Sequence, residues 1–108
     1  MEIKKSKIGS FWVINLTGRL DTSNYGELEK SLIDLIDSGE KELAVDCSGL
    51  VYISSSGLRV FLMALKKITQ SAGKFHLCCL QNNIHEIFEI AGFTSIFKIF
   101  NTVDEALK

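Results

Sequence analysis

Read for the spacing of its apolar positions, the chain alternates between two rhythms. Residues 11–17, Phe-Trp-Val-Ile-Asn-Leu-Thr, are rich in aromatic and β-branched side chains, with Trp12, Ile14 and Leu16 on one face, and predict a strand ended by the segment 18–21. Residues 41–47, 75–80 and 96–100 predict three more. Residues 1–8 predict a short lysine-rich strand suited to a sheet edge, joined through Gly9-Ser10 to its neighbour as a hairpin. Between these runs the period lengthens to that of a helix. Tyr25, Leu28, Leu32, Leu35 and Ile36 form one stripe, starting between Thr22 and Asn24 and stopped by Gly39. Asn24 and Glu27 stand at capping-box spacing. Leu58, Phe61, Leu62, Leu65 and Ile68 form a second stripe, with Arg59, Lys66, Lys67 and Gln70 mostly outward and Gly73 as the stop. Ile84, Ile87, Phe88 and Ala91 form a third, capped by Asn82 or Asn83 and ended by Gly92. Thr102 and Glu105 make a capping box for a last helical turn.

The order β-β-α-β-α-β-α-β-α predicts an α/β domain over residues 1–108. Its sheet is expected to have four to five strands, mostly parallel with an antiparallel edge strand, accompanied by about four helices and right-handed crossovers. Proline is absent, so glycine and asparagine punctuate the elements.

Composition narrows the function classes. A chain of 108 residues with 46% hydrophobic and 23% charged residues describes a globular domain with a real core. A net charge of −1 gives no basic stripe for nucleic acid or an anionic membrane surface. No apolar run approaches a bilayer span, and the basic N-terminal residues lack a following apolar segment, so the expectation is a cytoplasmic protein. The three cysteines, Cys47, Cys78 and Cys79, make a poor disulfide framework and are expected as buried core residues. With only His76 and His85 besides, no Cys/His set has zinc-ligand spacing.

One stretch carries candidate chemistry. Between the strand of residues 41–47 and the second helix lie two glycines and three serines, Ser54, Ser55 and Ser56. Serines at a strand-to-helix junction can cap the helix, and the free N–H groups and dipole of its first turn also favour an anion such as a phosphate. Ser55 is the expected N-cap. A Ser-His-Asp hydrolase would need a Gly-x-Ser-x-Gly elbow, which is absent. No phosphate-loop or dinucleotide glycine pattern occurs either.

The run Asp46-x-Ser-Gly-Leu-x-Tyr-Ile-Ser-Ser-Ser-Gly-Leu-Arg59 resembles the signature of STAS domains, specifically the stand-alone bacterial anti-sigma factor antagonists. Gly18-x-Leu-Asp21 matches a second segment of that pattern, and the element order extends the resemblance over the whole chain. The resemblance implies partner switching. The unmodified antagonist binds an anti-sigma factor that is also a serine kinase. Phosphorylation releases it, and a PPM-type serine phosphatase resets it. ATP and any Mg²⁺ would belong to the kinase, and the chain itself needs no cofactor, metal or catalytic residue. Carried onto this sequence, the phosphoacceptor is Ser56, directly before Gly57-Leu58, with Ser55 as the second choice. Asp21 falls at the family's acidic position, in partner or kinase recognition. Ser54, Ser55, Gly57 and Arg59 complete the expected partner-binding set. Many family members carry aspartate at the position of Ser54, so this chain lacks one negative charge beside the acceptor. Two other readings stand beside this one: a constitutive STAS scaffold subunit of a transporter or signalling complex, never phosphorylated, and a small enzyme with a pocket and a base at Ser56.

Overall fold

The computed structural model describes residues 1–108. Its elements run β1 (Glu2–Ile8), β2 (Phe11–Leu20), α1 (Tyr25–Asp37), β3 (Glu42–Ile53), α2 (Ser55–Gln70), β4 (Lys74–Cys78), α3 (Asn82–Ile90), a 3₁₀ turn (Phe93–Ser95), β5 (Lys98–Phe100) and α4 (Val103–Ala106). The five strands lie in the order β1-β2-β3-β4-β5. β1 pairs antiparallel with β2, and the other neighbours pair parallel. The α/β class, the antiparallel edge and the four helices are thus as the apolar spacing predicts.

Both faces of the sheet are covered, unequally. Ile14, Leu16 and Leu20 of β2, Leu43, Val45 and Leu50 of β3, and Phe75 and Leu77 of β4 share one core with the inner faces of α1, α2 and α3. Phe11, Ala44 and Cys78 point the other way and pack on Ala106 of α4. Burial on both faces explains why β2 and β3 read as near-continuous apolar runs. Phe11 and Val13 are buried, and Trp12 on the opposite face is half-buried with the Lys7 ammonium 5.6 Å from its ring centre.

The structure departs from the sequence expectation in several places. β4 ends at Cys78 and β5 begins at Lys98, after the 3₁₀ turn. The other departures have a local reason. β2 runs on through Gly18 and Arg19 to Leu20, and β3 runs past Ser48-Gly49 to Ile53, because the two strands stay paired through register shifts at Asn15/Thr17 and Gly18/Arg19. α2 buries Val60 and Ala64 along with Phe61 and Ile68, while Leu58, Leu62 and Leu65 are half-buried. Small side chains let that helix sit close to the sheet, which rotates the buried stripe. Gly73 is not the left-handed stop of α2: Ala72 is, at φ 61°, with its N–H donating to Thr69 and the Gly73 N–H to Ile68. Gly73 is needed for close approach instead, since a Cβ there would lie 2.6 Å from the Lys41 carbonyl oxygen. At the end of α1, Gly39 at φ 96° is the stop the sequence indicates, with its N–H on Ile36 and that of Glu40 on Leu35.

Candidate functional site

The serines stand at the carboxyl end of the sheet, where β2 and β3 finish together. Leu20 pairs with Ile53, and the next N–H of β3, that of Ser54, donates to the Leu20 carbonyl at 2.9 Å. This bond brings Asp21 alongside Ser54, so the acidic residue and the serine run are neighbours although 33 positions separate Asp21 from Ser54.

Ser54 is the N-cap of α2. Its backbone is extended (φ −90°, ψ 172°), and its hydroxyl accepts from the Gly57 N–H at 3.2 Å. The expectation of Ser55 as the cap is therefore corrected by one residue. Ser55 is the first helical residue and is exposed, and Ser56 is the second and half-buried. The N–H groups of these two positions have no intrahelical acceptor. With Ser54 satisfying the cap, the Ser56 hydroxyl is left out of it.

The glycines that flank the serines are both points of close approach. A Cβ on Gly57 would lie 2.8 Å from both Ile53 Cγ1 and Leu20 Cγ, so only glycine lets the first turn of α2 settle onto the strand ends. A Cβ on Gly49 would lie 2.8 Å from the Leu16 carbonyl oxygen. These contacts give the Ser-Gly…Ser-Gly pattern a packing basis.

Asp21 is held by its own turn. Its Oδ1 accepts from the Ser23 N–H (3.0 Å) and hydroxyl (2.6 Å). The Ser23 hydroxyl and N–H hold its carboxyl below the usual aspartate range, with Arg19 adding a smaller favourable charge from 3.8 Å. Asn24 closes the same turn rather than capping α1: its side-chain oxygen accepts from the Asp21 N–H at 2.9 Å and its amide donates to the Arg19 carbonyl at 2.8 Å. The predicted Asn24/Glu27 box is thus not formed, and α1 begins without a side-chain cap. The Arg19 guanidinium lies 4.1 Å from the Tyr52 ring centre.

Ser56 lines a cleft of about 290 Å³ between α1 and α2, together with Tyr25, Glu29, Arg59, Val60 and Met63. Arg59 and Met63 also line an adjoining groove of about 310 Å³ along α2, with Leu62, Lys66, Lys67 and Gln70. Tyr25, Val51 and Tyr52 are exposed at 37%, 49% and 37%. Thus Asp21, Ser54, Ser55, Ser56, Gly57 and Arg59 all gather around the start of α2. Tyr25 and Glu29 line the same cleft, and Tyr52 lies under Arg19 near Asp21. All three escaped the sequence reading as site residues, because nothing in their spacing sets them apart from stripe and strand residues.

Neither histidine reaches this cleft. His76 is 4% exposed and its Nδ1–H donates to the Ala106 carbonyl at 2.8 Å, on the α4 side. His85 pairs with Glu89 at 2.7 Å on α3. The expected cap of α3 by Asn82 or Asn83 is also not formed. Gln81 holds the cap position without a side-chain bond. Instead, the Asn83 and Gln81 side-chain amides donate to the Val51 and Ser48 carbonyls, at 3.1 and 2.9 Å, on the length of β3 that extends beyond β4. Cys47 and Cys78 are buried, as expected, and Cys79 is half-buried. Desolvation pushes all three thiols above the usual range.

No helix is long and apolar enough to cross a membrane. The STAS domain pattern matches residues 2–106. A Bordetella bronchiseptica protein carrying the name anti-sigma factor antagonist BtrV is 38% identical over 98% of this chain and 91% of its own. A Thermotoga maritima crystal structure under the same family name superposes with a TM-score of 0.93 at 22% identity, covering 97% of this chain and 91% of that one. The Bacillus cell fate determinant SpoIIAA, in its phosphorylated form, superposes with a TM-score of 0.79 at 19% identity, covering 98% and 96%. With the fold, the serine junction and these relatives in agreement, the chain belongs to the STAS-domain family of anti-sigma factor antagonists, a family of regulators rather than an enzyme class.

Proposed function

We propose that this protein is an anti-sigma factor antagonist that switches partners through Ser56. Unmodified, it binds an anti-sigma factor serine kinase in the cytoplasm. Phosphorylation of Ser56 releases it, and a PPM-type serine phosphatase restores it. The observation that carries this reading is the placement of Ser56: in the first turn of α2, outside the cap, and open to the cleft. A fold-level relative whose name records a phosphorylated form supports it by analogy.

The physics of such a switch is local. A phosphate adds about −1.5 to −2 charges at pH 7. At a helix N-terminus that charge is favourable by about 0.3–1 kcal/mol, so the fold need not change. A docked partner is affected far more. It can cover a hydroxyl, but burying an unpaired dianion costs several kcal/mol. Glu29 in the cleft and Asp21 beside Ser54 add like charge. The groove along α2, with Arg59 and Lys66 (Lys67 being paired with Asp37 at 3.0 Å), suits an acidic partner surface that continues from the serine.

The test pairs two variants. Ser56→Ala is expected to bind the kinase partner, and Ser56→Asp to bind it at least about 100-fold more weakly, read by titration calorimetry. Phosphopeptide mapping of the protein from its own cells is expected to place the phosphate on Ser56. Equal binding by both variants, with no phosphate found on Ser56, overturns the switch. It leaves the constitutive scaffold, for which isolated complexes with membrane transport or multi-subunit assemblies would be the positive sign.

A further inference from the structure

We propose that Asp46, Cys78 and Cys79 form a binding site for a thiophilic divalent cation of the zinc class, on the face of the sheet covered by α4. Their ligand atoms all lie within 4.8 Å of one another. The arrangement follows from the backbone. Asp46 and Cys78 are register partners in the parallel pairing of β3 and β4, so their side chains share a face. Consecutive residues of a strand point to opposite faces, and Cys79 would turn away if β4 continued. It does not continue. Cys79 has left-handed backbone geometry, φ 62°, which a non-glycine residue adopts only when its surroundings impose it. Its N–H is fixed on the Phe100 carbonyl at 3.1 Å. That reversal returns its thiol to the side of Cys78 and Asp46.

The carboxylate is already oriented. Asn15 Nδ2 donates to Asp46 Oδ2 at 2.9 Å, and the Ser48 N–H donates to Oδ1 at 3.0 Å. Hydrogen bonds of this kind, made to a ligating carboxylate from outside, tune and fix metal ligands. Two thiolates and one carboxylate are a donor set that zinc accepts, with water in the fourth position. Cys79 also lines a cavity of about 400 Å³ beside the cluster's edge, with Leu80, Phe100 and Asn101. Binding would release protons as the sulfurs become thiolates. Cys47 takes no part, because it belongs to the core on the other face. Spacing in the sequence gives no sign of this set, since Asp46 is not a member of any Cys/His motif and strand pairing alone brings it to the cysteines.

The experiment is a titration of the reduced protein with Cd²⁺, followed by the ultraviolet sulfur-to-cadmium charge-transfer absorbance, with Zn²⁺ competition as the second arm. The expected result is saturation at one Cd²⁺ per chain, displacement by Zn²⁺, and an increase in thermal midpoint with either ion. Cys79→Ser is expected to lose at least half of the absorbance, and Asp46→Asn to weaken binding by at least about tenfold. Cys47→Ala is expected to bind as the unaltered protein does. Absence of saturable absorbance, or saturation that Cys79→Ser and Asp46→Asn both leave intact, overturns the site. Circular dichroism of each variant separates loss of ligand from loss of fold.

Discussion

At the scale of single residues, the three adjacent serines have three different environments. Ser54 is the cap, Ser55 faces solvent, and Ser56 opens on the cleft. Ser54→Ala is therefore expected to destabilise the domain by about 1 kcal/mol in urea unfolding, while leaving the proposed phosphorylation of Ser56 intact. A cap role for Ser55 predicts the reverse, with Ser55→Ala the costly change. The serine cluster was legible in the sequence because the strand-to-helix transition is sharp there, whereas Asp21 was marked only by the family resemblance, since the Ser54–Leu20 pairing that brings it close is not local in sequence. Which serine caps was not legible, since three hydroxyls in a row satisfy the same local preference and only the Ser54–Leu20 backbone bond fixes the phase. The same holds for Asn24, whose capping spacing is outweighed by two bonds inside the Asp21 turn.

At the scale of elements, α2 ends under strain. Ala72 occupies the left-handed position that closes the helix, where an L-residue pays about 1–2 kcal/mol that glycine avoids. Ala72→Gly is expected to raise stability by about 0.5–1 kcal/mol, part of the relief being offset by the greater chain entropy of glycine, and to show as a thermal midpoint a few degrees higher. Gly73→Ala is no substitute, because its Cβ meets backbone. The apolar periods gave the number and order of elements correctly. They failed on the extent of β3, where Ser48-Gly49 has the composition of a turn but sits in a strand pair held by Gly49's close approach to Leu16. Of the expected α2 stripe, Phe61 and Ile68 are fully buried and Leu58, Leu62 and Leu65 only partly, while the fully buried Val60 and Ala64 were missed because leucine outweighs alanine in hydrophobic spacing.

At the scale of the molecule, the two faces of the sheet are secured by different means. Three helices cover one face, whereas the other relies on four-residue α4 and the bond from His76 to the Ala106 carbonyl. A four-residue helix cannot hold itself together, so its docking depends on that tether and on Val103, Ala106 and Leu107. His76→Leu is expected to cost about 1–3 kcal/mol by leaving the carbonyl unpaired, with hydrogen exchange accelerating first at residues 103–108 and little change in α1 or α2. Uniform acceleration across all helices would argue against a tether.

The strand order β1-β2-β3-β4-β5 is also the order of synthesis. Each strand joins the edge left by its predecessor, and none must be inserted between two already paired. Most loop closures are therefore short, and folding is expected to be quick for an α/β chain. During translation the sheet can grow one strand at a time as the chain leaves the ribosome, with β2 and β3 paired before the last helix exists. The surface around Ser56, built from β2, α1, β3 and α2, lies within the first 70 residues and so leaves the ribosome before β4, β5 and α4 do.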